Sequence, residues 1–191
     1  MPIEYDFIDD NGNYDLLYQY VGERPIRRAI DIGAWWGPWS LWWHDKVESI
    51  EIFEPNKDIL PKLQHNISDL QNCTLHQTAL GNIFKQVSMD YADHSGTYHI
   101  TTDEGSISMK TLDSFNFTKV DIIKIDAEGY EVPVLQGARQ TILGNKPMIQ
   151  IEANKSGSRY GRTKLDIKNF LEDMGMTRVA KKWPDQIWHF G

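Results

Sequence analysis

Short apolar runs and helical apolar stripes alternate along most of this chain. The apolar runs, which are typical of buried strands, cover residues 26–32, 47–53, 74–80, 120–126 and 148–152. Elsewhere, apolar residues recur every three or four positions, which predicts helices over 38–45, 57–70, 133–143 and 165–174. Strands that alternate with helices predict an α/β fold with a doubly wound, mostly parallel sheet.

Three segments depart from this alternation. We predict that residues 1–25 form a short N-terminal cover and that residues 26–191 form one domain. Within that domain, two alternating stretches near 83–112 predict an inserted β-hairpin or loop over the site. The last two runs, 177–182 and 186–190, are too close together for a parallel crossover, so they predict a C-terminal antiparallel hairpin.

A glycine turn follows the first strand. Gly33 and Gly37 interrupt the chain there, and a helix restarts at Pro38, so backbone N–H groups can face a ligand over the turn. Glu54 ends the second strand 21 residues after Gly33, where an acid can bind a ribose diol. A dinucleotide oxidoreductase and an S-adenosylmethionine (SAM) methyltransferase both fit this pattern. Asp31, two residues before the first glycine, would crowd a pyrophosphate and therefore favours SAM.

Acidic residues stand at several predicted strand ends, where ligands bind in such sheets. Asp126 and Glu152 are candidates for removing a proton from a substrate, or for holding a magnesium ion that assists this step. Lys124 shares a strand face with Asp126. It is either a partner in a salt bridge to Asp31 or Glu152, or a base whose pKa is lowered by burial.

One string in the predicted fourth strand resembles a known family. The sequence I-K-I-D-A-E-G-Y-E at 123–131, followed by V-L-Q-G-A at 134–138, resembles the signature of the FkbM-type SAM-dependent methyltransferases. Further matching positions are Asp31–Ala34, Gly37, Glu54–Asn56, Asn66 and Thr111–Asp113. The resemblance covers roughly residues 28–155.

The resemblance implies a Rossmann-like methyltransferase fold, SAM as the methyl donor, and an acceptor oxygen on a sugar or polyketide. Asp31 and the glycine turn would then hold the methionine end of SAM, Glu54 its ribose, and residues near Ala79 its adenine. The predicted catalytic residues are Asp126, Lys124 and Glu152. The predicted cofactor-binding residues are Asp31, Gly33, Ala34, Trp36, Gly37, Glu54, Pro55, Asn56, Ala79, Leu80, Asp126 and Glu128.

Five of the seven tryptophans lie between residues 35 and 43. Trp39, Trp42 and Trp43 fall on one helical face, which indicates a core position. Trp35 and Trp36 stand where the family commonly has asparagine and an aliphatic residue, and one of them would cover the sulfonium or the face of an acceptor sugar.

A basic loop follows the fifth predicted strand, with four cations and no acid between residues 155 and 164. It is either a solvated loop or a clamp for an anionic acceptor. The predicted acceptor-binding residues are Trp35, His94, Arg159 and Arg162.

Composition restricts the remaining classes of function and partner. The 20 basic and 27 acidic side chains argue against nucleic acid as a partner, and no apolar run is long enough to span a membrane. The single cysteine, Cys73, excludes an internal disulfide framework and indicates a cytoplasmic protein. The sequence therefore predicts an O-methyltransferase with a small-molecule or glycan acceptor. The alternatives are a non-catalytic SAM-binding module and, less favoured, an NAD-dependent oxidoreductase.

Overall fold

The computed structural model describes residues 13–22, 24–91, 98–101 and 105–191. The strands are β1 (Arg28–Ile32), β2 (Ile50–Phe53), β3 (Cys73–His76), β4 (Ala79–Leu80), β5 (Lys85–Tyr91), β6 (Tyr98–Thr101), β7 (Ile107–Lys110), β8 (Val120–Ile125), β9 (Met148–Glu152), β10 (Met176–Lys182) and β11 (Asp185–Phe190). The helices are α1 (Tyr18–Val21), α2 (Pro38–Trp43), α3 (Leu60–Ile67), α4 (Glu131–Gly137), α5 (Arg139–Asn145) and α6 (Lys164–Asp173). Short 3₁₀ turns cover Asn13–Asp15, Leu112–Phe115 and Ser156–Tyr160.

The main sheet has seven strands in the order β10-β11-β9-β8-β1-β2-β3. The five strands from β9 to β3 are parallel, whereas β11 runs antiparallel to both β9 and β10. The predicted doubly wound sheet with a C-terminal antiparallel hairpin is therefore confirmed. In this register Asp31 of β1 lies beside Lys124 of β8, so the two charged residues meet near the carboxyl ends of their strands.

Both faces of the central strands are covered, which explains their nearly continuous apolar sequence. One face packs beneath α4, α5 and α6, and its strand residues include Ile30, Ile123 and Ile149. The other face packs beneath α2 and α3, where Trp39 and Trp43 are fully buried, as their helical spacing predicted. Trp42 is only half-buried and packs at the margin of this cluster.

The third predicted strand, 74–80, is divided between two sheets. Residues 73–76 complete the main sheet, but Ala79 and Leu80 pair with β7 in a second sheet of order β4-β7-β5-β6. Thr78 lies between the two parts, and its buried hydroxyl donates a hydrogen bond to the Ser108 carbonyl at 2.6 Å. This bond ties the chain to β7, so the expectation of one strand was wrong.

The predicted helix 133–143 is also divided, because α4 ends at Gly137 and α5 begins at Arg139. The Asp113 carboxylate accepts hydrogen bonds from the backbone amides of Gln140 and Thr141 and from the Thr141 hydroxyl. A distant side chain therefore caps the start of α5.

The second sheet covers the carboxyl edge of the main one. Its strands β5 and β6 are antiparallel and lie within the segment that predicted an inserted hairpin. The division of the chain into a cover segment and one domain remains a prediction. The longest helix among the described residues, α6, has ten residues, and none of the described helices is long and apolar enough to cross a membrane.

Candidate active site

A cavity of about 380 Å³ lies at the carboxyl ends of β1, β2 and β8, beside the second sheet. Gly33, Glu54 and Asp126, which directly follow these three strands, all line it. Its size falls within the range of small-molecule sites, about 300–1,000 Å³. The other residues that line it are Ile32, Trp35, Phe53, Pro55, Asn56, Ile59, Thr78, Ala79, Leu80, Met89, Tyr98, Ile100, Ala127, Glu128 and Val134.

The Gly33 turn packs directly against the loop after β8. Gly33 has a φ of +75°, and a Cβ atom there would lie 1.7 Å from the Asp126 carbonyl oxygen. Its amide donates to the Phe53 carbonyl at 3.0 Å, and the Asp126 amide donates to the Ile32 carbonyl at 3.0 Å. Only glycine fits this close approach, so the turn needs Gly33 for its geometry.

Asp31 and Lys124 form a buried ion pair behind this turn. Asp31 is fully buried, accepts a hydrogen bond from the Ser40 hydroxyl at 2.7 Å, and lies 3.4 Å from the Lys124 ammonium. The ammonium also donates to the Gly33 carbonyl at 2.7 Å and lies 3.7 Å from Asp126. Burial lowers the pKa of Lys124, but the charges of Asp31 and Asp126 outweigh it and hold that pKa above its ordinary value. This geometry corresponds to the salt bridge foreseen for Lys124, and it gives the ammonium a structural role.

Asp31 does not reach the cavity, contrary to its predicted contact with the methionine end. Its carboxylate is directed to Ser40 at the start of α2 and to Lys124. The physical reason is that the Lys124 ammonium balances this buried charge, while the Ser40 hydroxyl satisfies one of its oxygens. Asp31 therefore holds the turn from behind.

Glu54 is the acid at the end of β2 and is almost fully buried. One carboxylate oxygen accepts from the Trp35 amide at 2.9 Å, and the other accepts from the Asn56 amide at 2.8 Å. Burial raises the pKa of the Glu54 carboxyl to about 7, although both hydrogen bonds favour the charged form. The two amides fix the carboxylate in the cavity wall, where it retains lone pairs for a ligand hydroxyl.

Three carboxylates meet beside the cavity, and we call them the acidic group: Asp126, Glu131 and Glu152. One oxygen of each lies within 4.8 Å of the others. Burial, followed by the charges of Asp126, Glu128 and Glu131, raises the pKa of Glu152 to about 9. Glu131 accepts hydrogen bonds from the amides of Ala127 and Gly129, and burial raises its pKa to about 7. Carboxylate oxygens are the ligand type that magnesium prefers, and the three lie close enough together to share one ion.

Glu131 was missed from the sequence, although it belongs to the string at 123–131. Glu128 lies in the same loop, lines the cavity and has a left-handed backbone with φ of +51°. Burial, together with the charges of Asp126 and Glu131, raises the pKa of Glu128 to about 7. The cavity therefore has three acids in its wall, Glu54, Asp126 and Glu128, whereas Glu152 and Lys124 do not line it.

Trp35 and Trp36 stack on each other, with ring centroids 3.9 Å apart and planes 13° apart. Trp35 lines the cavity and remains 48% exposed, with a left-handed φ of +53°. Trp36 is turned away from the cavity, because the Lys62 ammonium lies 3.2 Å from its ring centroid and Asn66 donates to its carbonyl. The predicted cofactor contact of Trp36 is therefore not supported.

Two further members of the predicted cofactor set also lie outside the cavity wall. Ala34 is buried in the core, and Gly37 has φ of +89° and packs against Leu63 and Ile67 of α3. Both shape the turn from its far side. The second sheet instead contributes Met89, Tyr98 and Ile100 to the wall, which the sequence did not single out. The alternation of Tyr98 and Ile100 along β6 was the available signal for their shared face.

The basic loop reaches the site through one residue. Arg159 donates from its guanidinium to the Glu128 carbonyl at 3.1 Å. Arg162 lies near Asp166, and the Lys164 ammonium lies 3.8 Å from the Trp183 ring centroid. His94, the remaining predicted acceptor residue, lies outside the described residues.

The family model of the methyltransferase FkbM domain matches residues 31–177. This chain belongs to the FkbM methyltransferase family. No curated protein matches the chain. Its fold is similar to that of methyltransferase FkbM from Methylobacillus flagellatus, with 21% identity, a TM-score of 0.62, and coverage of 93% of this chain and 48% of that one. The present chain thus spans about half the length of that relative.

Two other solved structures show the same fold at lower identity. A SAM-dependent methyltransferase from Aquifex aeolicus has 11% identity and a TM-score of 0.55, over 93% of this chain and 88% of that chain. A protein from Streptococcus mutans, solved in complex with S-adenosylhomocysteine (SAH), has 10% identity and a TM-score of 0.57, over 92% and 94%. At this level of identity, these two likenesses show the fold alone.

In this FkbM domain, the string at 123–131 forms the end of β8 and the loop that follows it. Lys124 holds the Gly33 turn, Asp126 and Glu128 line the cavity, and Glu131 caps the loop through the amides of Ala127 and Gly129. The string therefore builds the side of the cavity that faces the glycine turn.

Proposed function

We propose that this chain is a SAM-dependent O-methyltransferase that acts on a hydroxyl group of a sugar, or of a related small-molecule or glycan acceptor. The observation that carries the proposal is the cavity in which the Gly33 turn, Glu54 and Asp126 converge from three strand ends. Membership of the FkbM family supports methyl transfer in general. The proposal that the acceptor atom is an oxygen rests on the carboxylates described below.

The residues of the cavity fit SAM. The Glu54 carboxylate, fixed by two backbone amides, suits a ribose diol, and Thr78, Ala79 and Leu80 form a small, largely apolar wall that suits adenine. Gly33 lines the cavity and has no side chain, so its backbone can approach a ligand closely. Bound SAM would supply a methyl group on a positively charged sulfur. The chain would bind and orient it, with Gly33 rather than Asp31 beside the methionine end.

Asp126 is the residue that we propose as the acceptor of the substrate proton. It lines the cavity, its side chain is 38% exposed, and the Lys124 ammonium lies 3.7 Å away. Glu152, with its raised pKa, would carry a proton at neutral pH and lies behind Asp126. Lys124 has a positioning role here, because an ammonium whose pKa is raised is a poor base.

A metal-assisted route is the second mechanism. The acidic group could hold a magnesium ion that lowers the pKa of the substrate hydroxyl. The direct route through Asp126 is preferred, because two carboxylates of the group, Glu131 and Glu152, already accept hydrogen bonds from protein donors. Removal of divalent ions separates the two routes.

The acceptor would enter between Trp35 and the basic loop. Arg159, held by the Glu128 carbonyl, would bind an anionic group of such an acceptor, since its remaining N–H groups can pair with a phosphate or carboxylate. Arg162 is not part of this proposal, because it lies beside Asp166. We further propose a cytoplasmic location, supported by the single free cysteine, Cys73.

Calorimetric titration of the whole chain with SAH, and separately with NAD, tests the cofactor. Micromolar binding of SAH without NAD heat is expected, and the reverse result would return the chain to the oxidoreductase class. A labelled-methyl transfer assay against a panel of sugars, glycans and their phosphorylated forms then tests turnover. SAH binding without transfer to any acceptor would favour a non-catalytic SAM-binding module.

A further inference from the structure

We propose that the outer face of the Trp35 indole is the stacking site for a neutral pyranose ring of the acceptor, and that Lys62 tunes this face against cations. The inference rests on the proposed function, because the ring must lie next to a bound cofactor. It assigns to Trp35 one of the two roles that the sequence left open, and it gives Trp36 and Lys62 a role that the sequence did not predict.

Lys62, Trp36 and Trp35 form a three-layer stack. The Lys62 ammonium lies 3.2 Å from the centroid of the Trp36 ring, and Trp36 lies nearly parallel to Trp35 at 3.9 Å. The inner face of Trp35 is therefore occupied by Trp36. Since Trp35 lines the cavity and is half exposed, its outer face is the part of the stack that a ligand can reach.

The backbone at Trp35 also points to a role in binding. A bulky residue rarely adopts a left-handed φ, and such conformations persist where surrounding contacts enforce them, often at functional sites. In this conformation the Trp35 amide donates a hydrogen bond to Glu54, which any residue except proline could make. Glycine would make the same bond without strain, so the indole is the part that still requires an explanation.

The Lys62 ammonium, on the far side of the stack, determines which ligands the outer face of Trp35 prefers. Cations bind aromatic faces through the negative charge of the π-system. Here Lys62 already uses the π-system of the stack, and its positive charge repels a second cation on the same axis. A neutral ring with a flat C–H face is not repelled by the ammonium, and it gains an apolar contact with the indole. The face therefore suits a pyranose ring and not the sulfonium of SAM, which the carboxylates across the cavity attract.

The experiment uses the whole chain saturated with SAH. Saturation-transfer NMR is measured with methyl α-L-rhamnopyranoside and methyl β-D-galactopyranoside as neutral pyranose probes, and with tetramethylammonium as the cation probe. Each probe is measured with the wild type, with Trp35→Gly and with Lys62→Met. Trp35→Gly keeps the amide that binds Glu54, and SAH binding is measured for each variant so that the probes are compared at equal SAH occupancy.

We expect saturation of the ring protons of at least one pyranoside in the wild type and its loss in Trp35→Gly. Tetramethylammonium should give no Trp35-dependent signal in the wild type and should gain one in Lys62→Met. If neither pyranoside gives a signal that depends on Trp35, or if the wild type binds the cation through Trp35, the inference is wrong. Failure of the wild type to bind SAH would instead refute the proposed function itself.

Discussion

Replacing Lys124 by methionine tests the central ion pair of the site. The change keeps the length of the side chain but removes the ammonium that lies 3.4 Å from Asp31 and 3.7 Å from Asp126, and that donates to the Gly33 carbonyl. Asp31 is fully buried, so the variant leaves it, among the described residues, with the Ser40 hydroxyl as its remaining side-chain hydrogen-bond donor.

The size of the effect follows from this geometry. At an effective dielectric constant of about 20, two unit charges 3.4 Å apart attract each other by about 5 kcal/mol. Desolvation offsets part of that attraction, but breaking a buried pair from one side typically costs about 3–5 kcal/mol because one charge stays unpaired. For a chain of this size, the melting temperature should fall by about 6–20 °C.

The assay is urea unfolding of the wild type, Lys124→Met, Asp31→Asn and the double variant. The double variant should be more stable than Lys124→Met alone, because it removes the unpaired charge as well. The pKa of folded Lys124 lies above its ordinary value of 10.5, so its stabilisation is complete below that value and is lost only at higher pH. The titration of Lys124 itself should therefore add no pH dependence to the difference between wild type and Lys124→Met between about pH 6 and 9.

The opposite result would identify a neutral lysine. If Lys124 were a base with a lowered pKa, Lys124→Met would remove one ordinary hydrogen bond, and the loss would be about 1 kcal/mol. A loss of that size, without coupling to Asp31→Asn, would refute the ion-pair account and restore Lys124 as a candidate base.

Four further outcomes are expected. Glu54→Ala should weaken SAH binding by about 1–3 kcal/mol in calorimetry, whereas Glu51→Gln, a buried acid outside the cavity, should leave it unchanged; equal losses would exclude Glu54 as the ribose acid. The carboxyl pKa values of Glu54 and Glu128, raised from 4.5 to about 7, should make the free protein less stable as pH rises through this window, and Glu54→Gln should flatten the profile in urea unfolding. Methyl transfer should survive excess chelator; loss that added magnesium restores would favour the metal route through the acidic group. Arg159→Ala should raise the KM for an anionic acceptor at low salt while Arg162→Ala does not, and equal kinetics in both would make the basic loop a solvated one.

The sequence predicted the main sheet well because its strands and helices have distinct periodicities. The places where it failed are those where a distant residue decides the local structure. The stretch 74–80 contains no glycine or proline that would predict a break, but Thr78 is hydrogen-bonded to Ser108 and the last two residues pair in another sheet. In the same way, the helix over 133–143 is interrupted because Asp113, far away in sequence, caps a new helix at Arg139.

The site was predictable as far as it consists of strand ends. Gly33, Glu54 and Asp126 were identified because the carboxyl ends of parallel strands share one edge of the sheet. The directions of the side chains were not predictable from spacing. Asp31 and Trp36 are directed away from the cavity, Asp31 towards Lys124 and Trp36 towards Lys62.

The contact between Gly33 and the Asp126 carbonyl has a consequence for attempts to redesign this protein. The two loops that flank the proposed donor site touch through backbone atoms, and a methyl group added at residue 33 would lie 1.7 Å from that carbonyl oxygen. Substituting nearby side chains therefore cannot make room at this point, because the contact is between backbone atoms. Any replacement of Gly33 must displace the end of a strand. Diversity is tolerable on the opposite wall, where Met89, Tyr98 and Ile100 come from the second sheet. A selection for new acceptors should then accumulate changes in β5 and β6 and leave the donor side of the cavity untouched.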